Sequence, residues 1–126
     1  MVNKYPFVSP AILAESWDKL EEKLRMISGQ YNMAQIDMCD GRFVPSVTCG
    51  GDGEITVLNQ IDRLCTDLGL MIEYDMMVIL DWDDTMSRWM EFLSNSNSAK
   101  AIIVHLGSTE QWDTLFKIFD LSLIHI

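Results

Sequence analysis

An α/β fold built on a parallel sheet with helical crossovers is the class this sequence predicts, and three observations carry it. Short apolar runs alternate with amphipathic stretches four times along the chain, the pattern of parallel strands joined by helices. Two of the strand-like runs break at glycine just after a polar residue, Asp40 before Gly41 and His105 shortly before Gly107, which delivers polar groups to the carboxyl ends of the strands. The 126 residues are 48% apolar and 10% aromatic, enough for one packed core.

The elements follow in order. Tyr5 to Leu13 is a compact apolar run with Pro10 near its end, a first strand. Ser16 caps a helix over 16–28, in which Trp17, Leu20, Leu24 and Ile27 make the apolar stripe, Asp18, Lys19, Glu21, Glu22 and Lys23 face water, and Gly29 ends the element. Tyr31 to Met38 is the second strand. The connection over 41–53 closes with the cluster GGDG at 50–53, which lacks the G-x-G-x-x-G or G-K-[ST] pattern of a nucleotide loop and predicts a flexible link. Ile55, Leu58, Ile61, Leu64 and Cys65 recur at helical spacing over 54–67. Leu68 to Val78 is the third strand, with Glu73 and Asp75 on one side by parity. Met86, Trp89, Met90 and Leu93 form the apolar face of a third helix behind the acidic run 81–84, and 94–98 is a polar linker. Ala101 to Leu106 is the fourth strand, and Ser108 with Gln111 predicts a capping box opening a fourth helix through Trp112, Leu115 and Phe119.

The stretch AQIDMCDGRFVPS at 34–46 organises the rest. An alternating strand carries Asp37 to its end, passes Asp40, and breaks at Gly41, after which Pro45 holds Val44 extended and shapes the loop. A strand-end carboxylate of this kind is either a site residue or a cap for its own loop. The stretch resembles the ribulose-phosphate 3-epimerases, whose second strand and loop read approximately H-x-D-x-M-D-G-x-F-V-P-N. Asp37, Asp40, Gly41, Phe43, Val44 and Pro45 fall in register with that pattern. SPAILA at 9–14 is similar to the family's first-strand P-S-I-L-S, and DMMV at 75–78 to its third-strand H-L-M-V. The resemblance spans roughly the first half of such an enzyme and implies a partial TIM (β/α)8 barrel, about four βα units of a ribulose-phosphate-binding barrel; a complete one takes about 200 to 250 residues.

The resemblance also implies chemistry. In these enzymes the carboxylate at the position of Asp37 binds a divalent cation and removes the proton at carbon 3 of a ketose phosphate. The family's metal-binding histidines on strands two and three are replaced here by Gln35 and Asp75, its first-strand Ser by Ala11, and the Met of M-D-G by Cys39. By carry-over, Asp37 is the catalytic residue, Asp37, Gln35 and Asp75 surround a metal, and Ala11, Cys39 and Met77 line the substrate pocket. Such an oxygen-rich set suits Mg²⁺, Mn²⁺ or Ca²⁺ better than Zn²⁺; the alternative is no metal, with Gln35 hydrogen-bonded inside the barrel. The family's second catalytic Asp and its phosphate-binding loops belong to later strands, so the 126 residues alone are expected to be inactive. A non-catalytic barrel that binds a sugar phosphate or a protein is the second expectation. His105, at the end of strand four, is either a mouth residue or a hydrogen-bonded structural histidine.

A competing motif lies at MVILDWDDTM, 77–86, which fits the h-h-h-D-x-D-x-T signature of haloacid-dehalogenase-type phosphatases, with Asp81 as nucleophile and Asp83 as acid/base. Such a motif normally opens its domain, whereas about forty residues follow it here. The same acids also suit the first turn of helix three.

Nine Lys and Arg against nineteen Asp and Glu, a net charge of −10, disfavour nucleic acid and anionic membranes as partners. No apolar run approaches the roughly 20 residues of a membrane span, and the first residues lack the core of a signal peptide, so a cytoplasmic location is expected. Cys39, Cys49 and Cys65 are odd in number with no C-x-x-C spacing, which predicts reduced thiols. A half barrel exposes strand edges and an apolar inner face, so self-association or a homo-oligomer is expected beside a small phosphorylated sugar as ligand.

The last six residues, LSLIHI at 121–126, break the pattern. They spell what CTG TCT CTT ATA CAC ATC encodes, the sequence of a transposon mosaic end used in library preparation, so 1–120 is expected to be barrel and 121–126 a non-native tail. A fresh read across the locus is expected to part from this sequence near Asp120; an uninterrupted natural frame through those codons contradicts the expectation.

Overall fold

The computed structural model describes residues 8–118 and 124–125. Its elements are β1 (Ala11–Ile12), α1 (Trp17–Ile27), β2 (Met33–Cys39), α2 (Ile55–Asp67), β3 (Met71–Met77), α3 (Thr85–Asn95), β4 (Ala99–Val104), α4 (Trp112–Ile118) and β5 (Ile124–His125). All neighbouring strands are parallel and the sheet order is β1-β2-β3-β4-β5. That order discriminates between α/β architectures. A doubly wound sheet reverses direction part-way, whereas strictly consecutive parallel strands with right-handed crossovers keep every helix on one side, as in a (β/α) barrel.

Local chemistry sets the boundaries. Ser16 Oγ accepts the Lys19 N–H at 3.3 Å to start α1, and the Glu54 carboxylate accepts from Thr56 and Val57 N–H to start α2. The third strand begins at Met71, three residues later than its apolar run suggested, because Leu68 is the last cap of α2 and Gly69 turns the chain at φ +70°. The first strand is short: Pro10 has no N–H, and pairing opens with its carbonyl accepting from Gln35 N–H at 2.8 Å. The expected capping box does not form. Ser108 is buried and its hydroxyl donates to the Met76 carbonyl at 3.3 Å, while Thr109 Oγ1 accepts from Gln111 N–H at 2.8 Å ahead of α4. Phe119, expected in this helix, lies outside the described residues, as does most of the tail; Ile124–His125 pairs with Ile102 and Ile103 of β4. Pairing of a short apolar segment along the outer edge of β4 follows from its β propensity whatever the origin of its codons.

Between sheet and helices lies one core. Ala34, Ile36 and Met38 of β2, Ile72, Tyr74 and Met76 of β3, and Ile102 and Val104 of β4 meet Leu20, Leu24, Leu58, Ile61, Trp89 and Leu115. Tyr74, Trp89 and Phe92 make an edge-to-face trio with ring centroids 5.7 to 6.0 Å apart, linking β3 to α3. At the amino ends of the strands, Asp62 of α2 accepts from Ser96 and Ser98 hydroxyls and from Asn97 and Ser98 N–H, fixing the turn into β4. No helix among the described residues is long and apolar enough to cross a membrane.

The other face of the sheet is different. Met33, Met77 and Ile103 there are only half-buried, and Leu13 and Met71 are 42% and 40% exposed. Apolar surface on an incompletely covered parallel sheet favours association. The 126-residue chain produced by itself is therefore expected to sediment as dimers or larger species; a monomer that melts cooperatively is the contrary result.

Candidate active site

Alternation along two strands assembles the site. In β2 the residues Gln35, Asp37 and Cys39 point away from the helices, and the register sets them beside Glu73, Asp75 and Met77 of β3. Ala11 of β1 pairs with Gln35, and Asp75 pairs with Ile103 of β4, so His105, two residues further on, shares that face. Every position the resemblance marks thus falls on one side of the sheet. Asp37 and Asp75 form the central row, Cys39 and Met77 the row nearer the carboxyl ends, and Ala11 and Gln35 the row below.

Hydrogen bonds tie the central row together. Gln35 Nε2 donates to Asp37 Oδ1 at 3.2 Å and reaches Asp75 Oδ2 at 3.5 Å. His105 Nε2 stands 2.7 Å from Asp75 Oδ1, with the Asp75 side chain 16% exposed. The Phe43 ring packs against the imidazole at 5.6 Å between centroids, and a Cβ at Gly107 would meet that ring at 3.1 Å, so the small residue lets Phe43 approach. The Asp37 carboxyl is pushed above the usual carboxylate range by burial first; the Gln35 hydrogen bond opposes this, and the charge of Asp75 and a hydrogen bond to it add to the rise. Burial, and then the charges of Asp37, Asp75 and Asp40, push the Cys39 thiol up, which favours its uncharged form.

The loop after β2 is held, where the glycine cluster had suggested a flexible link. Asp40 Oδ1 accepts from Arg42 and Phe43 N–H at 2.8 and 2.9 Å, and its Oδ2 accepts from Ile79 N–H at 2.8 Å, across the gap to the loop after β3. Gly41 turns at φ +77°. Thr48 exchanges two hydrogen bonds with Cys39, and Gly51 lies so close to the Cys39 carbonyl that a Cβ would sit 2.0 Å from it. The Arg42 guanidinium stacks 4.2 Å above the exposed Trp82 ring, joining the two loops again.

Asp81 has a structural task. It accepts from the Thr109 hydroxyl at 2.6 Å, Glu110 N–H at 2.8 Å and Gln111 Nε2 at 3.2 Å, which anchors the approach to α4. Asp83 occupies the left-handed region at φ +51° and is exposed. A nucleophile whose oxygens are spent on its neighbours in this way is poorly placed for attack on phosphorus.

Residues 7–118 match the Ribulose-phosphate 3 epimerase family. The chain belongs to this family. No curated protein matches it. Enzymes of the ribulose-phosphate 3-epimerase family are generally metal-dependent, so the donor set at the mouth can be judged against a cation. Among the described residues no group of three or more His, Cys, Asp or Glu side chains is placed to hold one. Gln35 turns its N–H groups, not its carbonyl, towards the carboxylates, and both oxygens of Asp75 already face donors. As folded, Gln35, Asp37 and Asp75 do not fit a cation.

His105 is the member of the cluster that no strand-by-strand inspection pairs with Asp75. The signal was present in its parity with Ile103, but the β3–β4 register that uses it is not written in either strand alone. Asp40 is the other. Burial works against its ionisation, and N–H donors from Ile79, Phe43 and Arg42 outweigh it, so its carboxyl lies below the usual range. A carboxylate depressed in the fold contributes stability that is present above its unfolded value and lost as pH falls through the folded one. Asp40→Ala is expected to cost about 2 kcal/mol at pH 7, with the gap to the parent closing on acidification below the carboxylate range, as measured by urea unfolding at both pH values.

Proposed function

We propose that this chain is an epimerase-like protein that handles the carbon-3 proton of a small ketose phosphate, with Asp37 as the proton-transfer group. The observation that carries this is the position of Asp37: half-buried at the mouth, opposite Asp75, with its affinity for a proton raised. A carboxylate so tuned is a better base than an exposed one, and its location suits an acid/base role. Its oxygen takes the proton from carbon 3, the electron pair moves through carbon 2 to the carbonyl oxygen, and an enediolate results. Proton return to the same face regenerates the substrate, and return to the opposite face gives the epimer and needs an acid beyond the described strands. Ala11, Cys39 and Met77, flanking the central row, are the proposed substrate contacts. The three thiols lacking disulfides suit a reducing, cytoplasmic setting, and a second copy covering the inner face is the proposed protein partner. A hard cation such as Mg²⁺, Mn²⁺ or Ca²⁺ on Asp37 and Asp75 is the variant of this proposal that the family's general metal dependence favours, and it requires the Gln35 amide to turn over.

Gln35 and Asp75 at the family's histidine positions favour a second proposal, a barrel that binds a sugar phosphate without turning it over. Ribulose 5-phosphate incubated with the protein in deuterated water separates the two. Exchange of the carbon-3 hydrogen, a half-reaction that needs Asp37 and not the opposite-face acid, is expected with the parent even where no epimer forms, and is expected to fall at least about 100-fold in Asp37→Asn when followed by NMR. Binding with no exchange leaves only the second.

A further inference from the structure

We propose that Gln35 does in this chain what a divalent cation does elsewhere in the family: its amide holds the Asp37 and Asp75 carboxylates together, and the site works without metal. The inference deepens the proton-transfer proposal and rests on it for its catalytic meaning, although the binding experiment below does not depend on turnover.

Two acidic groups at adjacent register positions on parallel strands need a cation, a proton or hydrogen-bond donors between them. Here the donors are built in. One oxygen of Asp37 and one of Asp75 share the Gln35 amide at 3.2 and 3.5 Å, and the second oxygen of Asp75 faces His105 at 2.7 Å. The amide orientation follows from chemistry, since its oxygen in the same place would face two acceptors and its nitrogen faces them with two hydrogens. A cation entering the cluster must compete for lone pairs already directed at N–H groups and would meet the positive end of the amide dipole. His105 in turn is held from behind by Phe43, whose backbone N–H is fixed on Asp40. The network therefore continues through Phe43 into the loop after β2. Gln35 is in this sense a positioning residue, which sets the separation and orientation of Asp37 and Asp75.

The probe is MnCl₂ alone, followed by the loss of the free Mn²⁺ electron paramagnetic resonance signal on addition of the 126-residue chain. The parent is expected to show no uptake that depends on Asp75, so that parent and Asp75→Asn give the same curve. Gln35→Glu, which swaps the donor for a third acceptor, is expected to bind Mn²⁺ at least about tenfold more tightly than the parent, with far-UV circular dichroism confirming that both are folded. Stoichiometric uptake by the parent that Asp75→Asn abolishes overturns the proposal, as does a folded Gln35→Glu that binds no better than the parent. Should Gln35→Glu not fold, the parent and Asp75→Asn comparison decides by itself. Mn²⁺ uptake at Asp75 would leave the exchange result standing, and failure of exchange would leave the metal result standing, so the two proposals fail separately.

Discussion

The parallel register of β2 on β3 is the constraint from which both faces of the sheet follow. Asp37 meets Asp75 on one side because Ile36 meets Tyr74 and Met38 meets Met76 on the other. All four apolar side chains are essentially inaccessible. Burying Ile36, Met38 and Met76 contributes about 1.5–3 kcal/mol each, whereas a single net hydrogen bond contributes about 1 kcal/mol. A slip of one residue would put the carboxylates under the helices and the core on the open face. The polar cluster therefore inherits its geometry from the core and does not have to enforce it.

The carboxylates at the mouth divide into two kinds. Asp40, after β2, accepts from the backbone of the loop after β3, and Asp81, after β3, accepts from the backbone and side chains after β4. Each loop is thus clamped to the next by an acid reaching forward along the strand order, and the Leu80 N–H to Ser108 carbonyl bond at 2.8 Å reinforces the second clamp. Such acids are consumed by structure. This explains how a sequence with a net charge of −10 can crowd aspartates at one end of a sheet while Asp37 and Asp75 face the inner cleft. It also gives the first acid of the D-x-D motif at 81–83 a structural task, since Asp81 holds the approach to α4 in place.

Much of this was legible in the chain. The four helices and the strands between them follow from apolar period, and Glu73 and Asp75 share a side of β3 by parity; that Asp37 stands beside Asp75 comes from the register. What escaped detection required knowledge of neighbours. Gly69 marks the true start of β3, but an apolar run that continues through Leu68 and Leu70 conceals it. Ser108 has the spacing of a helix cap, yet the Met76 carbonyl on the adjacent strand takes its hydroxyl, and Thr109 with Asp81 anchors the approach to α4. The glycines at 50–53 read as slack because sequence does not reveal that Gly51 must lie against the Cys39 carbonyl. At Ser108 and Gly51 a tertiary partner decided the local conformation, whereas at Gly69 the end of α2 did.

The two departures at the mouth make physical sense together and little sense apart. An aspartate at position 75 places a second acid beside Asp37 in a half-buried row, and like charges there destabilise each other unless something positive lies between. A histidine at position 35 would offer one ring nitrogen to that space and, when neutral, a single hydrogen. Glutamine offers two hydrogens on one atom, which is what two facing carboxyl oxygens require, and it carries no charge of its own that must be desolvated. His105 then takes the remaining oxygen of Asp75. The residue at 35 that relieves the repulsion is the same one that turns its nitrogen towards the space where a ligating oxygen would be needed, so tolerance of the second acid and poor fit to a cation arise from one side chain.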